Sequence, residues 1–314
     1  MYINKISGYV PHDRIPNDYF KNLNDLSDEW IIERTGIKER RKASVGENTH
    51  TMGIEALKVG LESLPYPKEE IDLIVGATYT PYDTIFTLAH ACQHFLDISD
   101  IPVVSVNTAC SSFLNAVEVV EGYFATGKAK RALIVLSEHN TAYSDEHDKK
   151  SGHLWGDGAA AIFMSNERVS NVDLAIKSVS TGGAGNIGKA PESVYLRPAN
   201  EGFKMPFGKD VFLNACQYMA KSTKEILEKS GYSLEDLTYL IPHQANLRIT
   251  KNVAKNLNLP EEKALSNIQY LGNTGCAGAA IVIEENQHKF KKGDLVVVTV
   301  FGGGYSYGAM LIEC

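Results

Sequence analysis

Short runs rich in aliphatic and β-branched residues recur along the chain at positions 71–75, 102–106, 132–136, 237–241 and 295–300. Each is bounded by glycine, proline or polar residues, which predicts short strands buried on both faces. Between them the period changes. After Cys110 the apolar positions Phe113, Val117, Val120 and Phe124 fall at helical spacing, and Gly127 marks a stop. Strands alternating with helices predict a largely parallel or mixed sheet with helices on its faces. No apolar run approaches the ~18 residues of a membrane span; 294–301 is among the most apolar and is far too short.

The pattern also repeats. Asn107-Thr-Ala-Cys-Ser opens one helical stretch and Asn273-Thr-Gly-Cys-Ala opens another, 166 residues later. Each is followed by an apolar helix, a basic turn (128–131; 289–292) and a hydrophobic strand (132–136; 295–299). Glycine-led apolar segments then begin at Gly156 and Gly304, and the runs 71–75 and 237–241 precede the two motifs by similar distances. Five elements in one order imply two halves of one topology, residues 1–168 and 169–314, joined near 165–172 and packed as a pseudo-dimer.

Composition narrows the class. The 314 residues fit two domains or one large α/β unit, and 44% hydrophobic with 22% charged residues supports a substantial core. A net charge of −7 argues against a nucleic-acid protein with a wholly basic surface. The first residues carry no apolar leader, so secretion is not indicated and a cytoplasmic location is expected. Five thinly spread cysteines fit reduced thiols better than a disulfide framework.

Cys110 falls between an expected strand and an expected helix, where unpaired N–H groups and the helix dipole favour a nucleophilic thiolate. Cys276 has the same local setting, so context alone does not choose between them. Two further segments add chemistry. Ile241-Pro-His-Gln-Ala-Asn places His243 just past a strand end, and Leu271-Gly-Asn-Thr-Gly places Asn273 in a glycine-bracketed turn. Separately they read as a core histidine and a turn asparagine; together with Cys110 they suggest one site where the halves meet. Phe301-Gly-Gly-Gly offers backbone N–H groups suited to an oxyanion hole. Gly183-Ala-Gly-Asn-Ile-Gly matches a dinucleotide fingerprint, but the two prolines that follow deny it the required helix. The basic stretch from Arg34 to Lys42, just after Trp30, suits a phosphate-bearing or acidic partner with Trp30 as a stacking platform.

With these residues assembled, the chain resembles 3-oxoacyl-acyl-carrier-protein synthase III of the thiolase superfamily. The likeness is carried by Glu29 to Arg41, Thr108-Ala-Cys-Ser, Trp155-Gly-Asp-Gly-Ala-Ala-Ala, Ile241 to Ile249, Gly272-Asn-Thr-Gly and Phe301-Gly-Gly-Gly. The resemblance implies a five-layered αβαβα thiolase fold with two pseudo-twofold-related halves, and a homodimer. It implies an acyltransferase that loads an acyl group from coenzyme A or another thioester onto Cys110. Decarboxylative condensation with malonyl-acyl carrier protein would follow, assisted by His243 and Asn273, with no metal or redox cofactor. By the same resemblance the amides of Cys110 and Gly303 form the oxyanion hole. Trp30, Arg34 and Thr35 line the coenzyme A entrance, Lys149 stands where an adenine-stacking arginine is expected, and Phe212 flanks the site. Arg248 docks the carrier protein, and Ile85 and Phe86 cap the acyl pocket of a second subunit.

Departures from the family pattern are the polar Asn107 and Ser111-Ser112 around the nucleophile, Lys149, and Leu213 in place of a lysine. They leave room for a specialised relative making polyketide, quinolone or resorcinol-type products. Papain-like hydrolases share the order Cys, His, Asn but lack the repeat and need a different cysteine signature. A non-catalytic partner subunit would be expected to lose its nucleophile or its histidine, and both are present.

Overall fold

The protein is described here by a computed structural model covering residues 1–314. Its first half contains β1 (Tyr2–Tyr9), β2 (Asp13–Pro16), α1 (Asp18–Asn24), α2 (Asp28–Thr35), β3 (Glu39–Lys42), α3 (Thr49–Leu61) and β4 (Leu73–Ala77). It continues through α4 (Leu88–Leu96), β5 (Val103–Val106), α5 (Ser112–Ala125), β6 (Arg131–Glu138), α6 (Asn140–Tyr143) and β7 (Gly158–Ser165). The second half contains β8 (Leu174–Gly183), α7 (Ala190–Ser193), β9 (Tyr195–Arg197), β10 (Gly202–Lys204), α8 (Gly208–Lys229), β11 (Leu237–Pro242) and α9 (Leu247–Asn256). It ends with α10 (Ile268–Leu271), α11 (Gly278–Asn286), β12 (Leu295–Gly302) and β13 (Ser306–Glu313).

Nine strands form one continuous sheet in the order β11-β12-β13-β8-β1-β7-β6-β4-β5. The junction between β1 and β8 is only two residue pairs, Tyr2 with Ala175 and Ile3 with Leu174, so the sheet divides there into two leaves. Each leaf has the same plan: a parallel core (β4 with β5 and β6; β11 with β12) flanked by antiparallel strands. Helices α5 and α11 lie between the leaves, α3 and α4 cover one outer face, and α8 and α9 cover the other. The five-layered αβαβα arrangement expected from the sequence is the one observed.

Strands β4, β7 and β12 are buried along their whole length because helices cover both faces, which is why their sequences read as unbroken apolar runs. The first begins at Leu73, two residues later than the run suggested. Ile71 follows a short 3₁₀ turn, and the Asp72 carboxylate instead accepts the amides of Lys130 and Arg131. The halves are not identical: the counterpart of β5 in the second half is a single bridge between Leu240 and Ala264. The segment containing Gly183 passes from β8 through a turn into the four-residue α7, so no long helix opens at those glycines. No helix is long and apolar enough to cross a membrane.

Candidate active site

Cys110 stands in the turn from β5 to α5. Ala109, immediately before it, has φ +52, a left-handed conformation that a non-glycine residue holds only under surrounding constraint. The constraint is visible. Ser112 Oγ accepts from the Thr108 amide at 2.9 Å and donates to the Ala109 carbonyl at 2.6 Å. Ser111 Oγ lies 2.8 Å from the Thr108 carbonyl, from Asn115 Oδ1 and from Ser306 Oγ. Both serines are fully buried. The polar serine pair that suggested an unusual acyl donor thus holds the turn, whereas Asn107, which accepts from the Ala109 amide, is exposed and lines the cavity.

The turn opens on a cavity of about 340 Å³ lined by Tyr79, Pro81, Asn107, Ala109, Cys110, Trp155, Val194, Tyr195, Leu196, Pro198, Phe203 and Gly303. Most of this wall is apolar. Phe203 packs on Trp155 at 4.1 Å between ring centroids and on Tyr79 at 5.9 Å. The β9–β10 hairpin that supplies Leu196 and Phe203 escaped the sequence reading, because three-residue strands leave too little alternation to detect.

Hydrogen bonding from the amides of Gly303 and of Cys110 itself favours the charged form of the Cys110 thiol, and Gly303 lines the same cavity. The close approach needs a glycine at 302, where a Cβ would lie 2.7 Å from the Cys110 nitrogen. Burial, with the Glu138 charge behind it, nevertheless pushes the Cys110 thiol up to about 12. The thiolate expected from the helix end is therefore not the resting form; desolvation and a nearby carboxylate outweigh the dipole.

His243 follows β11, its amide donating to the Thr299 carbonyl of β12 at 2.8 Å, and is 3% exposed. Burial lowers its imidazole to about 4, so the ring is neutral at physiological pH. Asn273 is 5% exposed and pairs with Trp155 across the halves. Its carbonyl accepts from Gly156 and from Asn140 Nδ2, and its Oδ1 accepts from the Gly275 amide, which leaves the side-chain NH₂ without a protein partner. Neither residue is among those that line the cavity at Cys110. Cys276 is separated from Cys110 by its environment: buried, with its thiol donating to Glu138 Oε1 at 3.0 Å and held well above its ordinary range.

Glu138 is the ionisable group the sequence reading missed. It ends β6, is completely buried, and accepts from Thr80 Oγ1 at 2.5 Å and from the Thr80 amide at 3.2 Å. Burial raises its carboxyl to about 7. A charged residue at the end of an apolar strand was the available signal.

Of the remaining expected site residues, all but Thr35 lie toward the surface. The Arg34 guanidinium covers the Trp30 ring at 4.4 Å and both sit on α2. Thr35 is buried, its hydroxyl donating to the Ile31 carbonyl and accepting from the Ile37 amide. Lys149 is exposed in the loop before β7. Arg248 is exposed in the first turn of α9 with its guanidinium 5.7 Å over Phe212. Leu213 is 57% exposed beside it. Ile85 and Phe86, 85% and 47% exposed, do not line the cavity of their own chain.

Comparison with known proteins places these features in a family. The 3-oxoacyl-[acyl-carrier-protein (ACP)] synthase III family matches residues 104–183, and its C-terminal region matches 227–314. The beta-ketoacyl-[acyl-carrier-protein] synthase III of Clostridium perfringens (strain SM101) is 37% identical over 321 residues, covering 97% of this chain and 96% of the relative. That of Aquifex aeolicus (strain VF5) is 34% identical over 307 residues, with the same coverage. The crystal structure of 3-oxoacyl-[acyl-carrier-protein] synthase III from Aquifex aeolicus VF5 superposes with a TM-score of 0.93 at 33% identity, covering 100% of this chain and 99% of that one.

Proposed function

The chain belongs to the 3-oxoacyl-[acyl-carrier-protein] synthase III family, and from that membership we propose how its residues divide the condensing reaction. The enzyme is an acyltransferase that initiates fatty-acid synthesis. Cys110 attacks an acyl thioester, the amides of Cys110 and Gly303 stabilise the oxyanion, and the released thiol carries away the cysteine proton. Malonyl-acyl carrier protein then binds and loses CO₂. The neutral imidazole of His243 and the free NH₂ of Asn273 donate to the thioester oxygen as enolate charge grows there, and the carbanion attacks the acyl-cysteine. The chemistry asks for no metal or redox group beyond the thioester substrates.

The observation that carries this division is Cys110 itself. It stands on a constrained turn and lines the apolar cavity together with Gly303, whose amide favours the charged form of the thiol. The specialised alternative is not favoured, since the relatives matched over nearly the whole chain are synthases III and the two serines that counted toward it hold the turn. At the mouth, Trp30 and Arg34 suit a nucleotide-bearing thioester and Arg248 an acidic carrier protein. We place the enzyme in the cytoplasm as a homodimer. Incubation with acyl thioesters and measurement of intact mass tests the core of the proposal. One acyl group should add to the protein, be lost in Cys110→Ala and persist in Cys276→Ala; labelling that survives in Cys110→Ala would sink it.

A further inference from the structure

The loading step begins from a thiol that burial and Glu138 hold well above its ordinary range, so a group that offsets them is needed beside the sulfur. Two backbone amides supply part of this. The third donor is a side chain. Tyr79 lies just beyond the C-terminal end of β4, is 8% exposed, and lines the cavity together with Cys110. Its hydroxyl sits 2.8 Å from Asn140 Oδ1, on the wall of the cavity that Cys110 also lines, and favours the charged form of that thiol.

The position of that hydroxyl is built. Behind it, the Glu138 carboxylate accepts the amide of Tyr79 at 3.3 Å and the amide and hydroxyl of Thr80, fixing the backbone that carries the ring. Asn140 is fixed in turn, its Nδ2 donating to the carbonyls of Gly156 at 2.8 Å and Asn273 at 3.1 Å. On the opposite side Gly275, at φ +59, leaves the space the phenol fills; a Cβ there would lie 2.6 Å from the Tyr79 oxygen. Asn140 can only accept from Tyr79 through Oδ1, because its two N–H groups are committed.

We propose that Tyr79 is a catalytic residue of the loading step, its hydroxyl turning from Asn140 Oδ1 to donate to the Cys110 sulfur as that sulfur loses its proton and attacks. Tyr79 keeps its own proton throughout. The bond formed is Cys110 sulfur to acyl carbon, the bond broken is acyl carbon to donor sulfur, and the proton from Cys110 leaves on the donor thiol. Burial and the facing Glu138, Cys110 and Cys276 hold the phenol well above its ordinary range, so it remains a donor over the working pH. Asn140 is a positioning residue that orients the hydroxyl and joins it to the backbone of Asn273.

This rests on the loading role of Cys110, so the test reads the sulfur without an acyl donor. Alkylation of Cys110 by iodoacetamide, followed by peptide mass between pH 7 and 9, reports its thiolate directly. Tyr79→Phe should slow alkylation about three- to tenfold at each pH, corresponding to ~0.5–1 unit in the thiol's pKa. Placing 3-fluorotyrosine at 79, a stronger donor of nearly equal size, should speed it, and this arm serves even if the phenylalanine variant fails to fold. Alkylation unchanged in the fluorotyrosine protein, or unchanged in a folded Tyr79→Phe, overturns the assignment of Tyr79. Alkylation that responds as expected in a chain that accepts no acyl thioester would uphold the Tyr79–Cys110 contact and reject the function proposed for Cys110.

Discussion

Two cysteines in matching sequence contexts have opposite fates, and single contacts decide which is chemically available. Cys110 faces the cavity, whereas Cys276 donates its thiol to Glu138 inside the core. The same logic separates the two halves of the reaction. Asn273 keeps an unpaired NH₂, which the proposed mechanism assigns to charge that develops only during decarboxylation, so Asn273→Ala should slow malonyl decarboxylation by ~10²–10³ while sparing acyl loading. Equal loss in both steps, followed by separate assays of loading and CO₂ release, would contradict that division. His243 makes a different demand. Burial lowers it to about 4, so the donor form persists across neutral pH, and decarboxylation should pass pH 6–7 without the inflection an ordinary histidine produces. A stability consequence follows for His153, also held near 4 by burial and by Arg40. Its folded pKa lies below the unfolded value, so the unfolded chain binds the extra proton between them. The contribution is complete above about pH 6.5 and is lost as pH falls toward 4. Replacing the ring by His153→Phe should flatten the decline in urea-unfolding free energy over that window relative to wild type.

Elements built from long periodic segments were legible before the structure, and those defined by a few residues were not. The helix after Cys110 was readable because Phe113, Val117, Val120 and Phe124 keep one buried face, and the buried strands because both their faces are covered. The positions of His243 and Asn273 at element ends were legible from the adjoining Pro242 and Gly272, and that of Cys110 from the change of strand pattern to helical pattern around it. The cavity wall was not, because Tyr79, Val194 and Phe203 come from separate short pieces whose meeting depends on the packing of both leaves. The protonation of Cys110 was also illegible: a helix end is visible in sequence, but the Glu138 carboxylate that opposes it arrives from another strand. Helix α9 shows how an element exposes Arg248, the residue proposed to meet the carrier protein. Asn246 caps it by accepting the Arg248 amide at 2.8 Å, and the apolar face of Ile249, Val253 and Ala254 turns inward, leaving Arg248 exposed. Cationic rims act mainly on encounter and salt dependence. Arg248→Glu should therefore raise the KM for malonyl-acyl carrier protein and leave a small malonyl thioester nearly unaffected; equal damage to both would mark Arg248 as structural.

At the scale of the whole molecule, what the single chain leaves open concerns the acyl donor. Its cavity is walled by Tyr79, Trp155 and Phe203, while Ile85 and Phe86 stand exposed elsewhere with Tyr82, which is 65% exposed. Such a run of apolar side chains in water is the signature of a surface that another molecule covers. If that molecule is a second copy, Ile85 and Phe86 act on a pocket that is not their own, and short donors should outrun long ones. A methylene is worth only ~1–3 kcal/mol in such a pocket, so preference should fall gradually with chain length. The decisive comparison mixes subunits. A chain carrying both Cys110→Ala and Phe86→Ala cannot be acylated, yet when paired with wild type it should open the wild-type pocket. Intact mass would then show dodecanoyl on the wild-type chain in the mixed dimer and much less in the wild-type homodimer. If dodecanoyl appears only on chains that themselves carry Phe86→Ala, the segment acts within its own subunit; a wild type that prefers dodecanoyl over acetyl would remove the short-donor expectation.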